Sequence, residues 1–131
     1  MILLDTAPWI WWVAAPERLS PRARRLIAAE EGRSGLLVSA ISVWEVAVKV
    51  ALGKLTLDRE VRSWIALASA YPGLQVLPLD PGDALESTLL PGTLHKDTVD
   101  RIVVAIARRL AVPLVTCDQA LRRYRHVGTV W

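Results

Sequence analysis

Apolar and polar positions fall in short alternating blocks along the chain. Ile2-Leu3-Leu4 is an apolar run too short for a helix and is cut by Asp5, and the Trp-rich stretch Trp9 to Ala14 is expected to wind as a helix until Pro16. Ser20-Pro21 supplies a capping hydroxyl and a first-turn proline for a helix over Arg22 to Glu31, which Gly32 and Gly35 end. Leu36-Leu37-Val38 is the next buried-strand run. Between Ser39 and Lys49 the residues Ile41, Trp44 and Val48, continued by Ala51, recur at helical spacing, with Ser42 available to cap.

Asp58 is placed to cap a helix over Val61 to Ala70 that Pro72-Gly73 closes; Leu74 to Leu79 reads as a strand and Pro81 to Leu90 as a short helix. Asp97 or Thr98 opens a helix over Val99 to Ala111, apolar at Ile102, Val103, Ala105, Ile106 and Leu110. Leu114-Val115 is a strand, Gln119 to Tyr124 helical and Val127 to Val130 extended. Strands that alternate with helices predict an α/β fold with a mostly parallel central sheet flanked by helices, in a single domain over residues 1–131.

Composition narrows the class. With 53% hydrophobic and 22% charged residues among 131, the chain is neither a disordered tail nor too short to bury a core. Its one cysteine, Cys117, cannot form an internal bridge, and neighbouring acids that raise a thiol pKa argue against a nucleophile. The apolar opening lacks a basic leader segment, and runs such as Ile102 to Ala107 fall far short of the ~18–20 residues of a membrane helix. A cytoplasmic protein with no membrane association is expected.

Charge changes the picture at one end only. Residues 1–95 carry 9 Lys/Arg against 10 Asp/Glu, whereas residues 96–131 carry 7 against 3. Thirteen of the sixteen cations are Arg, whose planar fork suits phosphate, so Arg101, Arg108, Arg122 and their neighbours are candidate contacts to a polyanion. The six Trp read first as packing residues, with Trp44 and Trp64 on helical apolar faces. Trp9 to Ala14 and Val61 to Ala70 together offer more apolar surface than a small sheet covers, so part of it is expected in a protein interface.

In an open α/β sheet, ligands bind beyond the carboxyl ends of the strands. Asp5 ends the first strand and Asp118 follows Leu114-Val115, Glu45 lies in the early turns of the helix after Leu36 to Val38, and Asp97 and Asp100 share a face at a helix start. Taken singly, caps and strand-end turns account for these acids, and Asp97 most completely. Together they would repel by about 4 kcal/mol for a pair 4 Å apart at an effective dielectric of 20, unless protonated or bridged by a cation. Hard oxygen donors select Mg²⁺ or Mn²⁺ over zinc, and such an ion at a polyanion-binding edge implies metal-assisted phosphodiester hydrolysis.

At these residues the chain resembles a PIN domain of the VapC toxin kind. The resemblance is carried by LLDT at Leu3 to Thr6, SAISVWEVAVKVALGKL from Ser39 to Leu55, HKDTVDRIVVAIA from His95 to Ala107 and LVTCD from Leu114 to Asp118. It implies a metal-dependent endoribonuclease, the toxin of a toxin–antitoxin pair, acting on RNA, bound by an antitoxin and paired as a homodimer. By motif, the active-site acids are Asp5, Glu45, Asp100 and Asp118, with Mg²⁺ or Mn²⁺ held chiefly by Asp5, Asp100 and Asp118. Thr116 and Ser39 are candidates to orient carboxylates, and His95 is read first as a capping neighbour. The chain departs from the family in Ala7, where many members have His, and in Thr98-Val99, where Pro-Phe is usual. The second reading is an inactive PIN-fold module that binds RNA or protein. The third is an aspartyl-phosphate phosphatase or phosphoacceptor domain, for which an acid at residue 7 or an acidic pair is missing.

Overall fold

The computed structural model describes residues 1–131. Five strands, β1 (Ile2–Leu4), β2 (Leu36–Ser39), β3 (Leu74–Leu77), β4 (Leu114–Val115) and β5 (Thr129–Val130), form one sheet in the order β3-β2-β1-β4-β5, every pair parallel. Seven helices connect them: α1 (Thr6–Ala14), α2 (Pro21–Glu31), α3 (Ala40–Ala51), α4 (Val61–Ser69), α5 (Pro81–Glu86), α6 (Thr98–Leu110) and α7 (Gln119–Arg123), with a 3-10 turn at Pro16–Arg18. The first three strands build outward in one direction from β1, and the chain then crosses back to lay β4 on its other side. Strand order therefore reverses between β1 and β4, and in open α/β sheets ligands bind in the crevice beyond the carboxyl ends of the strands at such a point.

The strand residues are apolar without alternation because both faces of the sheet are covered. Ile2, Leu4, Leu36, Val38 and Val115 point into one layer with Trp9, Ala23, Ile27, Val46 and Trp64. Leu3, Leu37 and Leu114 point into the other with Val99, Ile102, Val103, Ile106 and Leu121. Trp9 and Trp64 are fully buried and meet edge to face at 5.4 Å, so two of the six Trp form the packing hub of the first layer. Val99 is buried in the second layer.

Several boundaries differ from the hydrophobic pattern for local reasons. Strand β3 stops at Leu77 because Pro78 has no N–H to donate. Helix α5 stops at Glu86, where the Ser87 and Thr88 hydroxyls each donate to carbonyls three residues back at 2.7 Å. Glu60, not Asp58, caps α4 by accepting from the Ser63 N–H at 3.0 Å, and Asp58 instead pairs with Arg59. Ser39, not Ser42, caps α3. Ser42 is buried and accepts a hydrogen bond from the Thr6 hydroxyl at 2.9 Å, which sets the roll of α3 and leaves Trp44 56% exposed rather than in the core.

Candidate active site

Asp5, Thr116 and Asp118 reach the same edge because β1 and β4 are parallel neighbours, in register at Leu4 and Val115. Asp5 is buried and caps α1, its Oδ1 accepting from the Thr6 N–H at 2.9 Å. Its Oδ2 accepts from the Thr116 hydroxyl at 2.7 Å, and the same hydroxyl oxygen accepts from the Asp118 N–H at 3.1 Å. One threonine thus ties both strand-end acids. Asp118 caps α7, its Oδ1 accepting from the Leu121 N–H at 3.0 Å.

The third element is α6. Asp97 caps it by accepting from the Asp100 N–H at 2.9 Å and is exposed, in keeping with a capping role. Asp100, in the first turn, turns inward toward the crevice. Three helix N-termini, those of α1, α6 and α7, therefore lie beside the acids, and their free N–H groups and dipoles favour negative charge there. Capping and clustering are compatible, since a cap occupies one lone pair of a carboxylate and leaves others facing the crevice.

The electrostatics record the crowding. Burial, followed by the charges of Asp5, Asp97, Asp118 and Glu45, pushes the Asp100 carboxyl up from its ordinary range to about 8. Burial likewise holds the Asp5 carboxyl above its usual value, against the opposing hydrogen bonds from Thr116 and Thr6, with Glu45 and Asp118 adding to the rise. Glu45 is thus within electrostatic reach of both, while its Oε2 lies 3.8 Å from Nζ of Lys49 one turn on. Burial also raises the Cys117 thiol, in line with an inert side chain.

The tightest group contains a residue that sequence reasoning set aside. Ligating atoms of His95, Asp100 and Asp118 lie within 4.8 Å of one another, close enough for one ion, with Asp5 and Glu45 outside that triplet. His95 Nε2 is 3.2 Å from Asp100 Oδ2, and its Nδ1 accepts from the Asp97 N–H at 3.2 Å. With Nδ1 turned to the backbone N–H of Asp97, Nε2 is the ring nitrogen that faces Asp100. The signal available in the sequence was the His two residues before a helix-capping Asp.

The His95 loop is held by an arginine expected to touch phosphate. Arg101 donates from Nε to the Ser87 carbonyl at 2.8 Å and from one terminal nitrogen to the carbonyls of Leu94 and His95 at 3.0 and 3.4 Å. Arg108 donates to the His126 carbonyl, and Arg109 makes a two-pronged pair with buried Asp83 at 2.6 and 2.8 Å. Arg101, Arg108 and Arg109 thus tie parts of the fold together, Arg108 and Arg109 from exposed positions. Ser39 orients no carboxylate; its hydroxyl accepts from the Ile41 N–H.

A family model described as the PIN domain matches residues 2–127. The chain belongs to the PIN domain family. This PIN domain is 33% identical over 132 residues to Ribonuclease VapC22 of Mycobacterium tuberculosis, covering 99% of this chain and 98% of that relative. VapBC2 from Rickettsia felis, bound to a DNA fragment from their promoter, has the same fold, with a TM-score of 0.71 at 13% identity over 99% of this chain and 98% of that one. A toxin–antitoxin complex from Klebsiella pneumoniae matches with a TM-score of 0.64 at 18% identity over 100% and 97% of the two chains. The five-stranded parallel sheet and seven helices are thus a PIN-like α/β domain, and the phosphoacceptor reading of Asp5 is set aside. No helix of this PIN domain is long and apolar enough to cross a membrane.

Proposed function

We propose that this protein is a metal-dependent endoribonuclease, the toxin of a toxin–antitoxin pair, that hydrolyses RNA phosphodiester bonds at the carboxylates Asp5, Glu45, Asp100 and Asp118. The observation that carries the reading is the crowding itself: Asp100 is pushed to about 8 by burial and by four other acids, an arrangement that a divalent cation would relieve. The donor set is carboxylate oxygen, which fits Mg²⁺ or Mn²⁺, and Asp5, Asp100 and Asp118 are the residues that would hold the ion. When bound, such an ion supplies water activation and stabilises charge on a phosphoryl oxygen.

The chain's own residues prepare that chemistry. Thr116 fixes Asp5 and the backbone of Asp118, His95 lies against Asp100 at 3.2 Å, and the N-terminus of α7 steadies Asp118. Glu45 completes the acidic wall, with Lys49 alongside. Each of these positions is set before substrate arrives, so little reorganisation is needed as charge develops.

An antitoxin partner is supported by the kinship with VapC22 and by the toxin–antitoxin complexes that share the fold. A homodimer is supported by exposed apolar side chains on and just after α3, Trp44 and Leu52, which are 56% and 63% accessible. The surface named from sequence is a poorer candidate, because Trp9 and Trp64 are buried.

Cleavage of single-stranded RNA by the purified protein tests the assignment. Activity with Mn²⁺ should vanish in EDTA and in Asp5→Asn, while Asp5→Asn still binds RNA. Undiminished cleavage by Asp5→Asn would overturn the mechanism.

A further inference from the structure

Beside the acidic cluster lies a groove of about 410 Å³ lined by Arg22 of α2, Gln119, Arg122 and Arg123 of α7, and Thr129 and Trp131 at β5. It adjoins the site through two short connections. Gln119 directly follows Asp118, and the Thr116 N–H donates to the Val130 carbonyl at 3.2 Å, so Trp131 leaves the sheet beside the threonine that holds Asp5. Arg122 is also close enough to pull against the raised Cys117 thiol.

The three guanidinia differ from those of Arg101, Arg108 and Arg109, which backbone carbonyls or Asp83 hold in place. Arg22, Arg122 and Arg123 are exposed and make no ion pair with any carboxylate. Arg123 makes only a long contact of 3.4 Å to the Gln119 side chain. Trp131 is the one hydrophobic residue of the groove. It is braced against Trp11 at 5.8 Å between ring centroids, and Arg18 sits 4.6 Å over the Trp11 ring. A braced aromatic facing a groove with three unpaired Arg combines the two elements that hold single strands, phosphate attraction and a platform for an unstacked base.

We infer that this groove binds the stretch of single-stranded RNA leading to the scissile bond, with Arg22, Arg122 and Arg123 on its phosphates and Trp131 beneath one base. The inference rests on the ribonuclease reading and extends it to substrate. A duplex fits less well, because its bases are stacked on one another and offer Trp131 no free face. The cations and the acids then divide the work, one set binding the strand and the other acting on a single phosphate.

The test is binding of a short fluorescein-labelled single-stranded RNA by the full-length protein in EDTA, followed by anisotropy over a range of KCl. Arg122→Ala/Arg123→Ala should weaken binding and flatten the slope of log affinity against log salt by about 1.4, at roughly 0.7 for each phosphate that the variant no longer neutralises. Trp131→Leu, which keeps an apolar side chain beside Trp11, should bind roughly 5- to 150-fold more weakly, the range expected for one stacked base. In Mn²⁺ both deficits should reappear in kcat/KM. Variants that match wild type in affinity and slope, while wild type cleaves RNA, would overturn the groove assignment alone. Wild type that neither binds nor cleaves RNA would overturn the ribonuclease reading and the groove with it. Variants that bind polyglutamate more weakly than wild type but RNA equally well would reassign the groove to an acidic protein segment and overturn the inference.

Discussion

The Thr116 hydroxyl donates to Asp5 Oδ2 at 2.7 Å across 111 positions of sequence. That bond opposes the burial that holds the Asp5 carboxyl high, so it lowers the cost of charge at the end of β1. Thr116→Val removes the donor at nearly constant volume. It should shift Mn²⁺ titration, followed calorimetrically, to higher metal concentration and lower the cleavage rate at pH 7 by tenfold or more, on the order of the 1.5–3 kcal/mol of a charge-assisted hydrogen bond. Thr116→Ser should restore both. A Val variant with wild-type metal affinity would remove Thr116 from the site.

Asp100 makes stability depend on pH in an unusual direction. Its folded value of about 8 lies above the ordinary carboxylate value, so between the two the folded state holds a proton that the unfolded state has released. The metal-free protein should therefore lose stability as pH rises from about 4 to about 8, by as much as about 1.4 kcal/mol per pH unit if no other group offsets it. Mn²⁺ should reverse the trend, because binding requires the proton to leave and so tightens with pH. Melting curves in EDTA and in Mn²⁺ across this range provide the check. Asp100→Asn should be flatter in EDTA and should gain less from metal, and equal responses in the two proteins would exclude Asp100 as a ligand.

Arg101 provides a contrast with the groove arginines. Its guanidinium binds three carbonyls of the loop from Ser87 to His95, so Arg101→Ala should free that loop while leaving phosphate contacts intact. Amide exchange over residues 88–97 should quicken and cleavage should slow, yet the salt slope of RNA binding in EDTA should equal that of wild type. A flattened slope would return Arg101 to the nucleic-acid surface.

Trp44 bears on self-association. It is exposed on α3, so Trp44→Glu should leave a folded chain with the circular dichroism of wild type, its melting temperature lowered only by the stabilisation that association adds. Sedimentation should resolve a dimer for wild type and a monomer for the variant. A wild-type monomer at high concentration would reject the homodimer.

The short apolar runs and the acids that follow them were legible in the sequence, because a strand buried on both faces has no polar residue until it reaches the edge. β1, β2 and β4 follow from that rule, whereas the placement of Asp5 and Asp118 on one edge also needed β1 and β4 to be parallel neighbours, which only the fold supplies. The rotation of α3 was not legible: the pattern put Trp44 inside, and only the long-range hydrogen bond between Thr6 and Ser42 turns the helix the other way. Nor could spacing separate arginines that hold carbonyls from those that face solvent, since Arg101 and Arg122 look alike until the loop from Ser87 to His95 is in place. His95 was hidden for the same reason, as its capping contact and its contact to Asp100 use opposite sides of one ring.

The strand order β3-β2-β1-β4-β5 also governs when the proposed active site can assemble. β1 emerges first in synthesis but acquires its neighbour β4 only after the chain has passed Val115, and Asp118 lies beyond that again. A nascent or truncated chain lacking these residues has Asp5 without the Thr116 hydroxyl and without Asp118, whatever the length already folded. For the active site proposed above, assembly therefore waits on the second half of the fold by topology alone, with no inhibitory segment required for the delay.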